Sequence, residues 1–233
     1  MWGPQLQSFT REHRVIAPDL PGFGRTPLES DIVDNRAFIR CVLDAAGMER
    51  AALIGRSFGA RIAVELSLES PERVSALVLV GPGLDGHDWS DEVRAFGQEE
   101  EAAIERGDLD RAVEANLRMW LAGPRRSLDA IDPATRELAA DMQRRAFTLQ
   151  QGHDVEMAPL DPPASARLAE VEAPTLVITG DEDVDDIHQI AEKLAREIPG
   201  AERASIADAA HLPNLERPEE FDRIVLGFLR RVL

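Results

Sequence analysis

Short aliphatic runs along this chain alternate with longer stretches in which apolar residues recur at helical spacing. The runs Arg14–Ala17, Ala51–Ile54 and Val74–Val80 have the composition and length of buried strands. Helical patterns separate them over residues 31–47 and Phe58–Glu69. Strands that alternate with helices in this way predict βαβ units and therefore a parallel sheet.

The strand pattern stops near Asp88 and resumes only after Pro163. Between these residues the chain is rich in Glu, Arg and Ala, which indicates helices. The pattern then returns with four predicted elements: strand Thr175–Thr179, a helix near Ile187–Ile198, strand Arg203–Ile206 and helix Pro218–Val232. We therefore predict an α/β fold with a core of residues 1–87 and 164–233 and an inserted helical cap of residues 88–163. Such a cap would cover the carboxyl edge of the sheet, where open α/β sheets place their sites.

The composition is that of a globular protein, with 44% hydrophobic and 30% charged residues among 233. A formal net charge of −17 argues against nucleic acids and anionic membranes as partners. The single cysteine, Cys41, excludes an internal disulfide framework and a cysteine-based zinc site. No apolar run approaches membrane-spanning length, and the first residues do not read as a signal peptide. We expect a cytoplasmic protein that uses no metal and no cofactor.

One short motif carries chemistry. Gly55-Arg-Ser-Phe-Gly59 has the form G-x-S-x-G and lies between a predicted strand and a predicted helix. In that context the serine occupies a strained turn that exposes its hydroxyl, and the two glycines keep the crowded turn free of Cβ atoms. The helix begins directly after Ser57, so the N–H of Phe58 and the positive helix end would face a developing oxyanion. The alternative interpretation is a glycine-bounded loop with an incidental serine.

Four segments together resemble the α/β-hydrolase superfamily, in its order and over nearly the whole chain. They are Arg14–Arg25, the motif around Ser57, Pro174–Asp183 and His211–Phe221. Asp161-Pro-Pro163 and the last segment are also similar to members labelled 3-oxoadipate enol-lactonase-like. The resemblance implies a serine hydrolase that cleaves a small carboxylic ester or lactone through an acyl-enzyme.

The resemblance also implies a triad in the order serine, acid, histidine. Ser57 is followed by Asp183, just beyond strand Thr175–Thr179, and by His211, the only histidine near the C-terminus. His211 would act as general base, and Asp183 would orient its ring. Four other carboxylates compete for the acid role: Asp181, Asp185, Asp186 and Asp85.

The remaining site candidates concern the substrate pocket. Four residues are candidates for its lining: Arg56, Trp89, Trp120 and Phe147. For the three aromatic residues, packing within the core of the cap is an equally good interpretation. A serine nucleophile disfavours haloalkane dehalogenation and epoxide hydrolysis, for which this superfamily uses aspartate. C–C bond hydrolysis, acyl transfer and perhydrolysis remain alternatives, since all use the same triad.

Members of the superfamily usually have two or three strands, and a His-Gly loop that completes the oxyanion hole, before the segment that begins here at Trp2. This sequence contains neither, so we expect the biological protein to be longer, with Met1 an internal residue. Losing one oxyanion donor typically costs about 10²–10³ in kcat, which makes a non-catalytic binding protein the alternative function. The strands at Arg14–Ala17 and Ala51–Ile54 would flank a gap in the sheet. Either they close up, or a partner chain fills the gap, or the chain is marginally stable.

Overall fold

The computed structural model describes all 233 residues of the chain, Met1–Leu233. The strands are β1 (Ile32–Val33), β2 (Ala51–Arg56), β3 (Val74–Val80), β4 (Glu156–Met157), β5 (Thr175–Gly180) and β6 (Glu202–Ile206). The α-helices are α1 (Gly3–Phe9), α2 (Asn35–Ala45), α3 (Phe58–Glu69), α4 (Asp91–Glu105), α5 (Leu109–Asn116), α6 (Pro133–Gln150), α7 (Asp185–Glu197), α8 (Pro213–Glu216) and α9 (Pro218–Val232). No helix is both long and apolar enough to cross a membrane. The predicted α/β class with a parallel sheet flanked by helices is confirmed.

The main sheet has four parallel strands in the order β2-β3-β5-β6. Its register places Val78 of β3 beside Ile54 of β2 and Leu176 of β5. Leu77 and Leu79 of β3 pack on one face against α3 and α7, while Ala76 and Val78 pack on the other against α9. Because both faces of β3 are covered, the strand reads as a continuous apolar run rather than an alternating one.

The predicted strand at Arg14–Ala17 is wrong, because those residues pair with no other strand. β2 bonds only to β3 and forms one edge of the sheet, so the segment has no ladder to join. Val15 instead packs its side chain against the core cluster under α9. The segment and β2 therefore do not close up on each other, and β2 is an edge strand of the sheet.

The stretch without a strand pattern folds into α4, α5 and α6, joined by a π-helix at Leu117–Ala122. These helices share a core with Leu212 and Leu215 of the C-terminal part. Two short strands that the pattern did not predict, β1 and β4, pair in parallel, and β1 occupies the start of the helix predicted over residues 31–47. Because β1 precedes it, α2 begins only at Asn35. The carboxylate of Asp34 caps its first turn by accepting the N–H of Ala37 at 2.9 Å.

A buried carboxylate connects the start of the helical block, which comprises α4, α5, the π-helix and α6, to the core. Asp186, in the first turn of α7, is only 3% exposed. It accepts hydrogen bonds from the N–H of Ser90 at 2.8 Å, from the Ser90 hydroxyl at 2.6 Å and from His87 Nε2 at 3.0 Å. Ser90 is the N-cap of α4. Burial alone would raise the pKa of Asp186, but these hydrogen bonds outweigh it and lower the pKa below 3.8.

We predict that Asp186→Asn destabilises the protein in a pH-dependent way. Because the folded state lowers the pKa of this carboxyl group, its contribution is present above about pH 4 and is lost as the pH falls through the folded pKa. Urea denaturation at pH 7 should show a loss of about 1–2 kcal/mol, and the difference from wild type should shrink below pH 4. The matched control is Asp88→Asn, at an exposed position, with a change within about 0.5 kcal/mol. A difference that is independent of pH would contradict this account.

Candidate active site

The turn between β2 and α3 holds Ser57 in a strained conformation. Its φ is 51° and its ψ is −113°, outside the regions that residues with a side chain normally adopt. The turn is so tight that a Cβ on Gly55 would lie 2.2 Å from the carbonyl oxygen of Gly59. The N–H of Ser57 donates to the carbonyl of Val80 at 2.9 Å, which fixes the turn to the neighbouring strand. The tight turn places Ser57 directly after β2, at the carboxyl end of that strand.

Phe58 is the first residue of α3, so its N–H has no partner within the helix. That N–H and the positive end of the helix dipole are available to an anion beside Ser57. The Phe58 ring packs against Phe23 with their centroids 6.1 Å apart.

A buried pair of side chains follows β5 and β6, at the same end of the parallel sheet as this turn. His211 Nδ1 and Asp183 Oδ2 are 2.8 Å apart, and the two residues are 2% and 0% exposed. The other oxygen of Asp183 accepts the N–H of Val184 at 2.9 Å. Because the carboxylate only accepts, it fixes the proton of a neutral imidazole on Nδ1 and leaves Nε2 as the basic atom.

The competing carboxylates have other partners. Asp85 forms an ion pair with Arg61 at 3.1 Å, Asp181 accepts from the Ser205 hydroxyl, and Asp186 binds the start of the helical block. Asp185 is exposed. Of the five acids considered, only Asp183 contacts His211. The structure contains no cluster of three or more His, Cys, Asp or Glu side chains that would hold a metal ion.

Gly81, which follows β3, provides the space for this pair. Its φ is +46°, and a Cβ there would lie 2.9 Å from His211 Nδ1 and 3.3 Å from Asp183 Oδ2. Any larger residue would therefore press on the hydrogen bond itself. This role was not predicted from the sequence, although the dipeptide Gly81-Pro82 at a strand end is a signal for a special backbone conformation.

The three aromatic candidates are distributed over different environments. Trp120, in the π-helix, lies against the His211 ring with centroids 4.6 Å apart, and its carbonyl accepts the His211 N–H at 3.1 Å. Trp89 packs edge-on against His87. Phe147 is buried in the core of the helical block. Of the three, only Trp120 contacts the buried pair.

Two adjacent arginines of the helical block hold the loops that carry the pair. Arg125 donates to the carbonyls of Asp181 at 2.6 Å and of Asp183 at 3.3 Å. Arg126 forms an ion pair with Glu216 at 2.8 Å, and Glu216 accepts the N–H of Ala210, next to His211. Burial raises the pKa of Glu216 even though it has these partners. Neither arginine was predicted as a site residue, and their only signal was a basic pair in an acidic chain.

Arg56, the fourth pocket candidate, contacts the N-terminal residue and the backbone of His211. Its guanidinium contacts Met1 Sδ at 3.0 Å and the His211 carbonyl at 3.5 Å, with no carboxylate in contact. Burial lowers the pKa of Arg56 to about 10, although the charge of Asp183 raises it in part. The guanidinium is therefore a poorly compensated charge beside the buried pair.

Comparison with known proteins gives consistent matches. A model of the alpha/beta hydrolase family matches residues 1–224. A 2-hydroxy-6-oxononadienedioate/2-hydroxy-6-oxononatrienedioate hydrolase of Burkholderia vietnamiensis is 31% identical over 94% of this chain and 77% of its own length. The 3-oxoadipate enol-lactonase 1 of Acinetobacter baylyi is 26% identical over 100% of this chain and 84% of its own. A crystal structure of a hydrolase from Pseudomonas aeruginosa has a TM-score of 0.77 at 27% identity, covering 98% of this chain and 84% of its own.

We predict that Gly81→Ala lowers kcat for 4-nitrophenyl acetate hydrolysis by about 10²-fold, because displacing a catalytic group by about 1 Å has an effect of that size. The measurement is steady-state kinetics on protein whose folding is checked by circular dichroism. Gly97→Ala is the control, since nothing lies within 4 Å of a Cβ there. Full activity of folded Gly81→Ala would show that the pair does not depend on this space.

We also predict that Arg56→Met increases the free energy of unfolding at pH 7.5 by about 1 kcal/mol, because it removes a partly buried charge that lacks a close partner. Arg61→Met should instead lower the free energy of unfolding. Arg61 contacts the buried Glu65 at 2.7 Å, and its removal leaves the charge of that carboxylate less compensated. Urea denaturation measures both. Equal destabilisation by the two substitutions would refute the distinction between them.

Proposed function

The chain belongs to the α/β-hydrolase family, and from this premise we propose that it is a serine hydrolase that cleaves a small carboxylic ester or lactone through an acyl-enzyme on Ser57. The observation that carries the proposal is the buried contact of 2.8 Å between His211 and Asp183. Asp183 follows β5 and His211 follows β6, in the same parallel sheet whose edge strand, β2, leads directly into the strained Ser57.

In the first half of the proposed reaction, the Ser57 hydroxyl attacks the substrate carbonyl carbon while His211 Nε2 takes its proton. The carbonyl oxygen becomes an oxyanion, which accepts the N–H of Phe58 at the start of α3. Collapse of this tetrahedral intermediate breaks the bond to the leaving oxygen, and His211 returns the proton to it. An ester releases its alcohol, whereas a lactone opens and keeps both halves on Ser57.

In the second half, water replaces the hydroxyl as nucleophile. His211 takes a proton from the water, the oxyanion forms again at the Phe58 N–H, and collapse releases the carboxylic acid and restores Ser57. Asp183 remains ionised throughout and stabilises the imidazolium that forms in each half. Its complete burial strengthens that interaction, because little water competes with it.

The name of one relative supports the choice of a lactone, and the name of the other supports hydrolysis only. One is called an enol-lactonase, and that chemistry opens a cyclic ester. The other is called a hydrolase of an oxononadienedioate. Trp120 lies directly on His211, and so large a side chain beside the proposed general base favours a small substrate.

We predict that a fluorophosphonate probe labels the intact protein at Ser57 and does not label Ser57→Ala. Such probes react only with a serine whose proton can be removed, so labelling reports the function of His211 directly. Peptide mass spectrometry should identify the modified residue. Failure of folded wild-type protein to react would overturn the proposed function.

The acid assignment is tested with a matched pair of variants. Asp183→Asn should slow both labelling and turnover by about 10⁴-fold, because the histidine then takes the wrong tautomer. Asp85→Asn should have little effect, since Asp85 is paired with Arg61. Equal losses in the two variants would contradict the role of Asp183.

A further inference from the structure

The histidine loop, residues 207–217 between β6 and α9, is bound to the helical block on both sides of its turn. The carbonyl of Asp208 accepts a hydrogen bond from Arg126 Nη1 at 3.0 Å. Further along the loop, the N–H of His211 donates to the carbonyl of Trp120 in the π-helix at 3.1 Å. Asp208 has a φ of 53°, which is uncommon for a residue with a side chain, so the loop is held where its backbone is least relaxed.

Glu216 connects Arg126 to the residue before His211, and it uses a different oxygen for each contact. Its Oε1 accepts the N–H of Ala210 at 2.9 Å, and its Oε2 lies 2.8 Å from Arg126 Nη1. Both partners can only donate, so the bridge requires two accepting oxygens, which an ionised carboxylate has and a side-chain amide lacks. The Glu216 side chain is 6% exposed, and little water competes for either oxygen.

The remaining donors of Arg126 bind the end of the π-helix. Its Nε donates to the carbonyl of Ala122 at 2.9 Å, and its Nη2 donates to the carbonyl of Leu121 at 2.9 Å. These are the last two residues of the π-helix, where carbonyls lack partners within the helix. One planar guanidinium therefore joins the π-helix to the histidine loop in a fixed geometry, which the ammonium of a lysine would not reproduce.

Apolar packing does not replace this connection. Leu212 and Leu215 lie in the core of the helical block, and their contacts hold the loop against it. Such contacts are not directional, whereas hydrogen bonds to backbone groups fix both distance and angle. The hydrogen bonds of Arg126 reach neither the imidazole nor its carboxylate partner. Any effect of Arg126 on the chemistry must therefore pass through the loop.

We propose that Arg126 is a positioning residue for His211. It fixes the histidine loop through Glu216 and the Asp208 carbonyl, and so keeps the imidazole in contact with Asp183. The inference rests on the proposed function, because it assigns the imidazole the role of general base. A displacement of about 1 Å in such a group lowers the rate by about 10²-fold. Since the guanidinium acts only through the loop, its removal changes the rate of the chemical steps and not the binding of substrate.

Two variants test the proposal by steady-state kinetics with 4-nitrophenyl acetate. Arg126→Met removes the guanidinium, whereas Glu216→Gln keeps the arginine and the side-chain volume but removes one accepting oxygen of the bridge. Each should lower kcat by about 10- to 100-fold and leave KM within about twofold, because both half-reactions use His211. Arg118→Met is the matched control and should keep the wild-type kcat. Arg118 lies in the same π-helix, but it donates to Glu99 at 2.8 Å on an exposed surface.

A spectroscopic measurement separates positioning from stability. The Nδ1–H of His211, which Asp183 accepts within a buried pair, should give a far-downfield proton resonance in the wild-type protein. Arg126→Met and Glu216→Gln should broaden this resonance and speed its exchange with water, while the amides of β3 keep their wild-type exchange rates. A residue that only stabilised the fold would speed exchange at both places.

Folding of each variant is checked by circular dichroism. Should Arg126→Met fail to fold, Glu216→Gln carries the test, because it preserves the volume of the site and every other contact of the arginine. A loss of kcat in Glu216→Gln together with full activity of folded Arg126→Met would overturn the role of Arg126. The inference is also wrong if both folded variants keep the wild-type kcat and resonance, or if β3 amides exchange as much faster as the histidine proton.

These outcomes are distinct from failure of the proposed function. If fluorophosphonate labels Ser57 in wild-type protein but the variants behave as wild type, the positioning role is wrong and the hydrolase remains. If folded wild-type protein is neither labelled nor active, the proposed function fails and the role of Arg126 in the reaction fails with it. Absence of the downfield resonance from folded wild-type protein would contradict the buried pair and overturn the inference as well.

Discussion

The conformation of one residue, Ser57, is the constraint on which the rest of the site depends. A residue with a side chain is held at φ 51° because β2 must turn directly into α3. The turn closes only because Gly55 brings its backbone against Gly59 without a Cβ. The first N–H of α3 follows Ser57 directly, so the proposed nucleophile and the proposed oxyanion donor belong to one piece of backbone. The surrounding sheet and helix hold the neighbouring residues in place and so maintain the strained conformation of Ser57.

The other half of the site comes from two separate loops, and the helical block holds them together. Arg125 binds the backbone of the loop that carries Asp183, while Arg126 reaches Glu216 beyond His211. Trp120 covers the imidazole between them. The block thus contacts the loops of the buried pair through backbone and ionic interactions. This explains why the core of the block includes Leu212 and Leu215 from the histidine loop.

Helices and strands that depend only on their own local sequence could be predicted. The bounds of β3, α3 and α9 agree with the apolar patterns that predicted them. The family resemblance seen in four segments is confirmed by the family match. The strand at Arg14–Ala17 was predicted wrongly, since its composition suits a strand but no partner strand pairs with it. Gly81 and Arg125 also lay beyond the pattern, because their roles depend on contacts with residues distant in sequence.

The central claim is that Ser57 carries a covalent acyl group during turnover. Rapid-quench mass spectrometry with 4-nitrophenyl acetate tests it most directly, because it detects the intermediate rather than its consequences. The account predicts an acetyl group on the peptide containing Ser57 that forms within the first turnover and decays at the rate at which acetate appears. Turnover without such an adduct, or an adduct on any other residue, would contradict the account.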